Sequence, residues 1–308
     1  MTVESLAGRD FLSMTDLSAA EMAGLLSLAA QLKAGEIRPH CPKILGLLFS
    51  KASTRTRVSF SAAMYQIGGQ VLDLNANVTQ VGRGEPPRDT ARVLDRYLDV
   101  LAIRTYEQSE IETFARFAEI PVINALTDLE HPCQILADLL TVQEAFGTLA
   151  GLTMTYLGDG NNVAHSLMLG CALAGISIVV ATPEDYQPLP EILERATAIA
   201  GERATVKVTT DPVAAVKGSH VLYTDVWASM GQEGQASSRI PLFQPYQVNA
   251  ELLAHADPEA IVLHCLPAHR GEEITDEVME GPRSRIWDEA ENRLHAQKAL
   301  LVALLGAQ

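Results

Sequence analysis

The chain lacks any apolar run near the ~20 residues that a membrane-spanning helix needs, and its first residues lack the basic-then-apolar layout of a secretory signal. Both absences lead us to expect a cytoplasmic protein. Cysteine is scarce. Cys41, Cys133, Cys171 and Cys265 form no C-x-x-C pair, so neither a disulfide framework nor a zinc site is expected, in keeping with a reducing compartment. Positive charge is also short: 23 Lys and Arg against 38 Asp and Glu give a formal net charge of −15 and a pI near 4.9. That excludes the basic face a nucleic acid or an anionic membrane demands. An anionic ligand would need a local positive pocket inside an acidic protein. Internal repeats and low-complexity tracts are absent as well.

What is present is ordinary globular composition, 47% apolar and 20% charged over 308 residues, enough for two domains of ~150 residues each. After an opening helix over 19–33, short apolar runs at 44–49, 71–74, 100–103 and 122–126 read as strands, alternating with helical spacing at 58–67, 89–97 and 110–118. A longer helix over 132–146 opens on Pro132 and ends at Gly147. The alternation then restarts, with strands at 152–157, 177–181, 206–208, 221–223 and 261–263 and helices at 163–174, 189–200 and 248–255. The fold class expected is α/β, two doubly wound parallel-sheet domains joined by long helices. Their expected bounds are 1–147 and 148–285, with a final helix within 286–308 packing back on the first.

Ligands of open α/β sheets bind outside the carboxyl ends of the strands, and those ends carry the polar clusters of this chain. Ser53-Thr54-Arg55-Thr56-Arg57 follows the run at 44–49. With Ser53 as N-cap, a helix N-terminus would join three hydroxyls and two guanidiniums, an arrangement suited to a phosphate. The competing reading is a capped helix with two solvated arginines. Arg104 ends an apolar strand, where a charge is costly unless it reaches a ligand or a carboxylate. His131 and Gln134 stand one helical turn apart and could donate to a carbonyl oxygen beside that phosphate.

Gly158-Asp159-Gly160 begins like a dinucleotide fingerprint, but Val163 occupies the third glycine position, which counts against a nicotinamide-dependent dehydrogenase. Asp225 leaves a strand for a loop containing Gly231 and Gly234, with no Lys or Arg before Ser238. Its acid points to a cationic substrate group; a turn Asp beside a packed Trp227 is the alternative. Cys265 sits at a strand end between His264 and Leu266-Pro267, a place where most cysteines are inert core residues.

The segments FSKASTRTR (49–57), GRGEPPRDTARVL (82–94), HPCQILAD (131–138), DVWASMG (225–231) and HCLPAHRGEE (264–273) together resemble the aspartate/ornithine carbamoyltransferase family, from about Phe11 to the end of the chain. The resemblance implies transfer of a carbamoyl group from carbamoyl phosphate to an amine, without metal or organic cofactor. It implies that Ser53, Thr54, Arg55 and Thr56 hold the phosphate, and that Arg104, His131 and Gln134, with Pro132 and Cys133 beside them, hold the carbonyl end. Arg293 of the final helix would return to the same site. Gln80 lies in the loop that family members lend to a neighbouring subunit, which implies a homotrimer with shared active sites. Asn162, Asp225, Ser229 and Met230 match ornithine-binding positions, and Cys265-Leu266 match the pair beside the reacting amine and the carbamoyl group.

The catalytic set expected is therefore Arg55, Arg104, His131, Asp225 and Cys265. The acceptor loop favours L-ornithine, giving L-citrulline in arginine biosynthesis, because aspartate would bring two carboxylates to a loop without cations. Putrescine, N-acetylornithine, or a silent carbamoyl phosphate-binding protein are the alternatives, since a few substitutions can redirect such a pocket.

Overall fold

β1 (Ile44–Phe49) is six residues without a charge, buried from Leu45 onward, as a strand covered on both faces by helices must be. It is the centre of the first of two compact units in the computed structural model, which describes residues 6–75, 84–228 and 236–307. Unit 1 comprises 1–140 with 292–308, and unit 2 comprises 141–291.

The chain enters unit 1 through α1 (Ala19–Ala34), opened by a Ser18/Glu21 capping box and closed by Gly35 at φ 73°. Strands β1, β2 (Gln70–Asn75), β3 (Val100–Arg104) and β4 (Val122–Leu126) alternate with α2 (Arg55–Gln66), α3 (Pro87–Leu94), α4 (Gln108–Phe117) and α5 (Pro132–Phe146). Among the described residues the sheet is four-stranded and parallel, in the order β2-β1-β3-β4. The order reverses at β1 and β3, where Phe49 lies opposite Arg104. A crevice opens at such a switch point. Leu48, Leu101, Ile103, Ile111, Phe114 and Val122 form a core cluster on this sheet.

Unit 2 repeats the plan with β5 (Thr153–Leu157), α6 (Asn162–Ala174), β6 (Ser177–Ala181), α7 (Pro190–Ala200), β7 (Val206–Thr209), α8 (Pro212–Val216), β8 (Val221–Thr224), α9 (Ala236–Phe243), α10 (Ala250–Leu253), β9 (Ile261–His264) and α11 (Asp276–Met279). Its sheet, again parallel, runs β7-β6-β5-β8-β9, with the switch between β5 and β8, where Leu157 lies opposite Thr224. α6 is buried from Val163 to Leu173 and mostly apolar on every face, as an interior helix must be, with buried His165 accepting from Leu189 N–H at 3.1 Å.

α12 (Ile286–Leu305) starts in unit 2 and ends in unit 1. Its C-terminal part is tied to unit 1 by Lys33 Nζ to Asn292 Oδ1 (2.8 Å), Lys298 Nζ to Gln66 Oε1 (2.7 Å) and Gly8 N–H to Leu304 C=O (2.9 Å). The short helices α8, α9 and α11 have no counterpart in the periodicity of the sequence. Four or five residues are too few to establish a helical repeat, and Pro241 lies inside α9.

Candidate active site

At the carboxyl ends of β1, β3 and β4, unit 1 gathers positive charge. α2 begins at Arg55, not one residue after Ser53: its N-cap is Thr54, in helical geometry and without a side-chain capping bond. The expectation of Ser53 as N-cap is thus corrected. Ser53 and Thr54 remain on the approach to the helix, half-buried and exposed respectively, while Thr56 is buried. The two arginines of the segment diverge. Arg57 is paired with Asp73 and lies 4.9 Å over the Phe49 ring, so it belongs to the α2–β2 contact.

Arg104 is buried at the last position of β3. The pairing of β3 with β4 slips between Ile103 and Arg104, a bulge of the kind that re-aims a side chain at a strand end. His131 follows a tight turn closed by Thr127 N–H to Glu130 C=O (2.9 Å) and Glu130 N–H to Thr127 Oγ1 (3.2 Å). Glu130 is anchored in turn by the Ser13 hydroxyl at 2.6 Å. Burial first, then the charges of Arg293, Arg104 and Arg55, hold His131 well below the usual imidazole pKa. It is neutral at pH 7. Arg293 of α12 donates to Gln134 Oε1 and, at 3.1 Å, to Thr56 Oγ1, while Gln134 Nε2 donates to Asp138 Oδ1 at 2.7 Å. Pro132 and Cys133 form the first turn of α5. The Cys133 thiol points away, donating to the Asn124 carbonyl at 3.3 Å, and burial pushes its pKa up to about 12. Only its backbone N–H can serve an anion.

Unit 2 gathers the opposite charge at the ends of β5, β8 and β9. Asn161 caps α6, accepting from Val163 and Ala164 N–H at 3.0 and 3.2 Å, and its Nδ2 donates to Asp225 Oδ2 at 2.9 Å. The other Asp225 oxygen accepts from the Cys265 thiol at 3.0 Å. The Tyr156 hydroxyl donates to Asn161 Oδ1 at 3.3 Å. Burial, then the acids Asp225 and Asp159, Cys265 and Glu273, keep that hydroxyl well above the usual phenol pKa, so it stays a donor. Asp159 is paired with buried Arg239 at 2.7 Å, and Arg239 also donates to the Trp227 carbonyl. Burial pushes the Asp159 carboxyl up despite that partner.

Leu266 adopts φ 59° ahead of a cis Pro267, a left-handed conformation uncommon outside glycine. Its N–H donates to His264 Nδ1 at 2.9 Å, which leaves His264 Nε2 carrying the proton and donating to Glu273 at 2.9 Å. Asp225, His264 and Cys265 are close enough to share a metal ion, but both ring nitrogens of His264 are committed. Gly160 answers the dinucleotide question in the same way. The backbone of Tyr186, Gln187 and Pro188 fills the space a Cβ would take, and Gly160 N–H bonds the Tyr186 carbonyl at 2.8 Å. That glycine admits the chain's own loop, so the place of a pyrophosphate is filled.

Of the residues named from sequence, Arg55, Thr56, Arg104, His131, Gln134 and Arg293 converge in unit 1, and Asp225 and Cys265 in unit 2. Asn162 is the first residue of α6, one position past the asparagine that holds Asp225. Gln80, Ser229 and Met230 lie outside the described residues. Asn161, Asp138 and Arg239 were given no site role from the sequence. Asn161 had a signal in the preference for Asn at a helix N-cap.

One doubly wound sheet thus carries a cationic cluster at its strand ends, and the other carries an acidic one. Residues 9–144 match the family description "Aspartate/ornithine carbamoyltransferase, carbamoyl-P binding domain" and residues 150–304 "Aspartate/ornithine carbamoyltransferase, Asp/Orn binding domain", so the chain belongs to the aspartate/ornithine carbamoyltransferase family. Among its relatives, the ornithine carbamoyltransferase of Synechocystis sp. is 70% identical over 99% of each chain. The crystal structure of ornithine carbamoyltransferase from Gloeobacter violaceus has a TM-score of 0.90 at 62% identity, covering 97% of this chain and 99% of that one. The ornithine carbamoyltransferase from Pyrococcus furiosus has a TM-score of 0.94 at 50% identity over 98% of each.

Proposed function

We propose that the chain transfers the carbamoyl group of carbamoyl phosphate to the side-chain amine of L-ornithine, giving L-citrulline and phosphate. The observation that carries this reading is the opposite charge of two clusters, each within its own unit: Arg55, Arg104 and Arg293 around a neutral His131 in unit 1, and Asp225 held by Asn161 and Cys265 in unit 2. Ser53, Thr54, Arg55 and Thr56 hold the phosphate, and Arg104, His131 and Thr56 stabilise the oxyanion that forms on the carbamoyl oxygen. A neutral His131 donates without adding charge repulsion to the three arginines.

Asn162, Asp225, Ser229 and Met230 bind ornithine, and Cys265 and Leu266 lie beside the reacting amine. An alkyl amine has a pKa near ~10.4, so at pH 7.5 only about one molecule in a thousand is the free base, a cost of ~4 kcal/mol. Asp225 and Cys265 orient the amine and help manage its proton. Attack of the free amine forms the C–N bond and moves the carbonyl pair onto oxygen; collapse of that oxyanion breaks the C–O bond to phosphate, which leaves with the bonding pair and accepts the proton shed by the amine nitrogen.

The protein works in the cytoplasm, in arginine biosynthesis, as a homotrimer whose Gln80 completes a neighbouring subunit's site. The exposed apolar residues Val58 and Tyr65 on α2, Leu72 on the edge strand β2, and Val93 and Tyr97 at α3 support a covered surface there. The test is phosphate release from carbamoyl phosphate followed with and without ornithine. Release that rises with ornithine and saturates is the result expected; release indifferent to ornithine would leave a silent binding protein.

A further inference from the structure

Glu273 of unit 2 is fully buried, and its two carboxylate oxygens fare differently. Oε1 accepts twice, from His264 Nε2 at 2.9 Å and from the His269 backbone N–H at 2.6 Å. Oε2 finds no hydrogen-bond partner among the described residues. A buried carboxylate oxygen left in that state costs free energy that a bound ion would recover. It faces the His269 imidazole, whose Nδ1 lies 3.9 Å from it, too far for a hydrogen bond, and 3.8 Å from Glu272 Oε2. The turn that gathers these groups is closed by Glu272 N–H to His269 C=O and Gly271 N–H to Ile274 C=O, both at 2.9 Å. Arg270, within the same turn, pairs with Asp276 and Glu280 instead.

We propose that His269 Nδ1, Glu272 Oε2 and Glu273 Oε2 form a site for a divalent transition-metal ion of the zinc class, which the proposed reaction does not use. The three donor atoms lie within 4.8 Å of one another, whereas the donors of a tetrahedral zinc site stand about 3.3 Å apart, from bonds of ~2.0–2.2 Å. Rotations of His269 and Glu272 close that gap. Their side chains are 53% and 42% exposed, which also gives an ion its path from solvent. Two ligating carboxylates bring two negative charges together, and a dication offsets them. An imidazole nitrogen among the donors favours zinc over magnesium, which prefers oxygen ligands and holds its waters. Cysteine spacing cannot reveal this site, because it uses no thiol. The ion would brace the turn that carries Leu266, since Glu273 Oε1 holds His264, whose Nδ1 accepts the Leu266 N–H at 2.9 Å.

The experiment is calorimetric titration of the untagged full chain with Zn²⁺, carried out on the wild type and on Cys265→Ala, which removes the thiol of the neighbouring Asp225, His264 and Cys265 cluster. Zinc should still bind Cys265→Ala at one site, excess Mg²⁺ should not displace it, and the melting temperature should rise with zinc. Adding His269→Ala or Glu272→Ala should weaken that binding at least about 10-fold, because loss of even a residue that only supports a metal ligand costs ~10–100-fold. The melting temperature in chelator should stay unchanged, so that lost binding is told apart from lost folding. Co²⁺ gives a second reading on the wild type: absorption typical of nitrogen and oxygen ligands, which His269→Ala abolishes. No zinc binding, binding lost in Cys265→Ala itself, binding that survives the His269 and Glu272 substitutions, or magnesium that displaces zinc overturns the proposal. So does a cobalt spectrum that His269→Ala leaves as it was.

Discussion

Arg55 and Arg57 stand two residues apart in one motif and differ in what they touch. Arg57 is committed to Asp73, whose side chain is 51% exposed, a pair worth about 0–1 kcal/mol. Arg55 is one of the charges that bear on His131. Arg55→Gly should therefore lower kcat by about 10²–10³-fold with an unchanged circular dichroism spectrum, whereas Arg57→Ala should leave kcat within a few-fold; the reverse order would contradict the assignment of the phosphate to Arg55. Cys265→Ala removes a donor to Asp225 and should damage ornithine use while the affinity for carbamoyl phosphate stays intact. An unchanged steady-state response to ornithine would remove Cys265 from the mechanism.

His131 gives a pH prediction. Its folded pKa lies below the unfolded value of ~6.5, so the unfolded chain binds the proton first. The stabilisation is fully present above ~6.5 and is lost as pH falls toward the folded value, at up to about 1.4 kcal/mol per pH unit. His131→Asn should accordingly flatten the dependence of Tm on pH between 6.5 and 5, and a slope equal to that of wild type would count against a buried neutral imidazole.

At the scale of elements, the strands and long helices were legible because their periods are: buried parallel strands read as unbroken apolar runs, and α5 announces itself with Pro132 and ends before Gly147. The N-terminus of α2 was misjudged by one residue because Ser53 and Thr54 are both common N-caps, and the sequence holds no sign of which one adopts helical geometry. The fingerprint-like glycines were set aside on Val163, but the reason for Gly160 could not be read locally: it is required by the crossing of the 186–188 backbone, which lies 26 residues or more along the chain. Asn161 shows how one residue can serve two levels at once. It caps α6 and orients Asp225, a link between β5 and β8 that local spacing cannot reveal. Asn161→Ala should cost about 1 kcal/mol from the cap alone and raise the KM for ornithine. Asn161→Asp should keep the cap yet set an acid against Asp225, so its Tm should stay near wild type while ornithine use still suffers. Thermal melts with parallel kinetics separate the two, and an aspartate variant with wild-type KM would deny Asn161 its role at Asp225.

For the whole molecule, a formal charge of −15 coexists with an arginine cluster, because the sheet topology collects Arg55, Arg104 and Arg293 from three distant stretches of sequence. Arg239, the first cation after Asp225 in the sequence, is paired with Asp159; on the proposed reading, Asp225 then selects a cationic acceptor without a competing charge from that residue. The most direct test is ureido-product formation from carbamoyl phosphate with ornithine, putrescine, N-acetylornithine or aspartate in separate reactions. Citrulline from ornithine, with the other three amines at background, is the result predicted. Product from one of the others at a rate matching or exceeding ornithine would contradict the reading of Asp225 and its neighbours, and no product from any of the four would contradict catalysis itself.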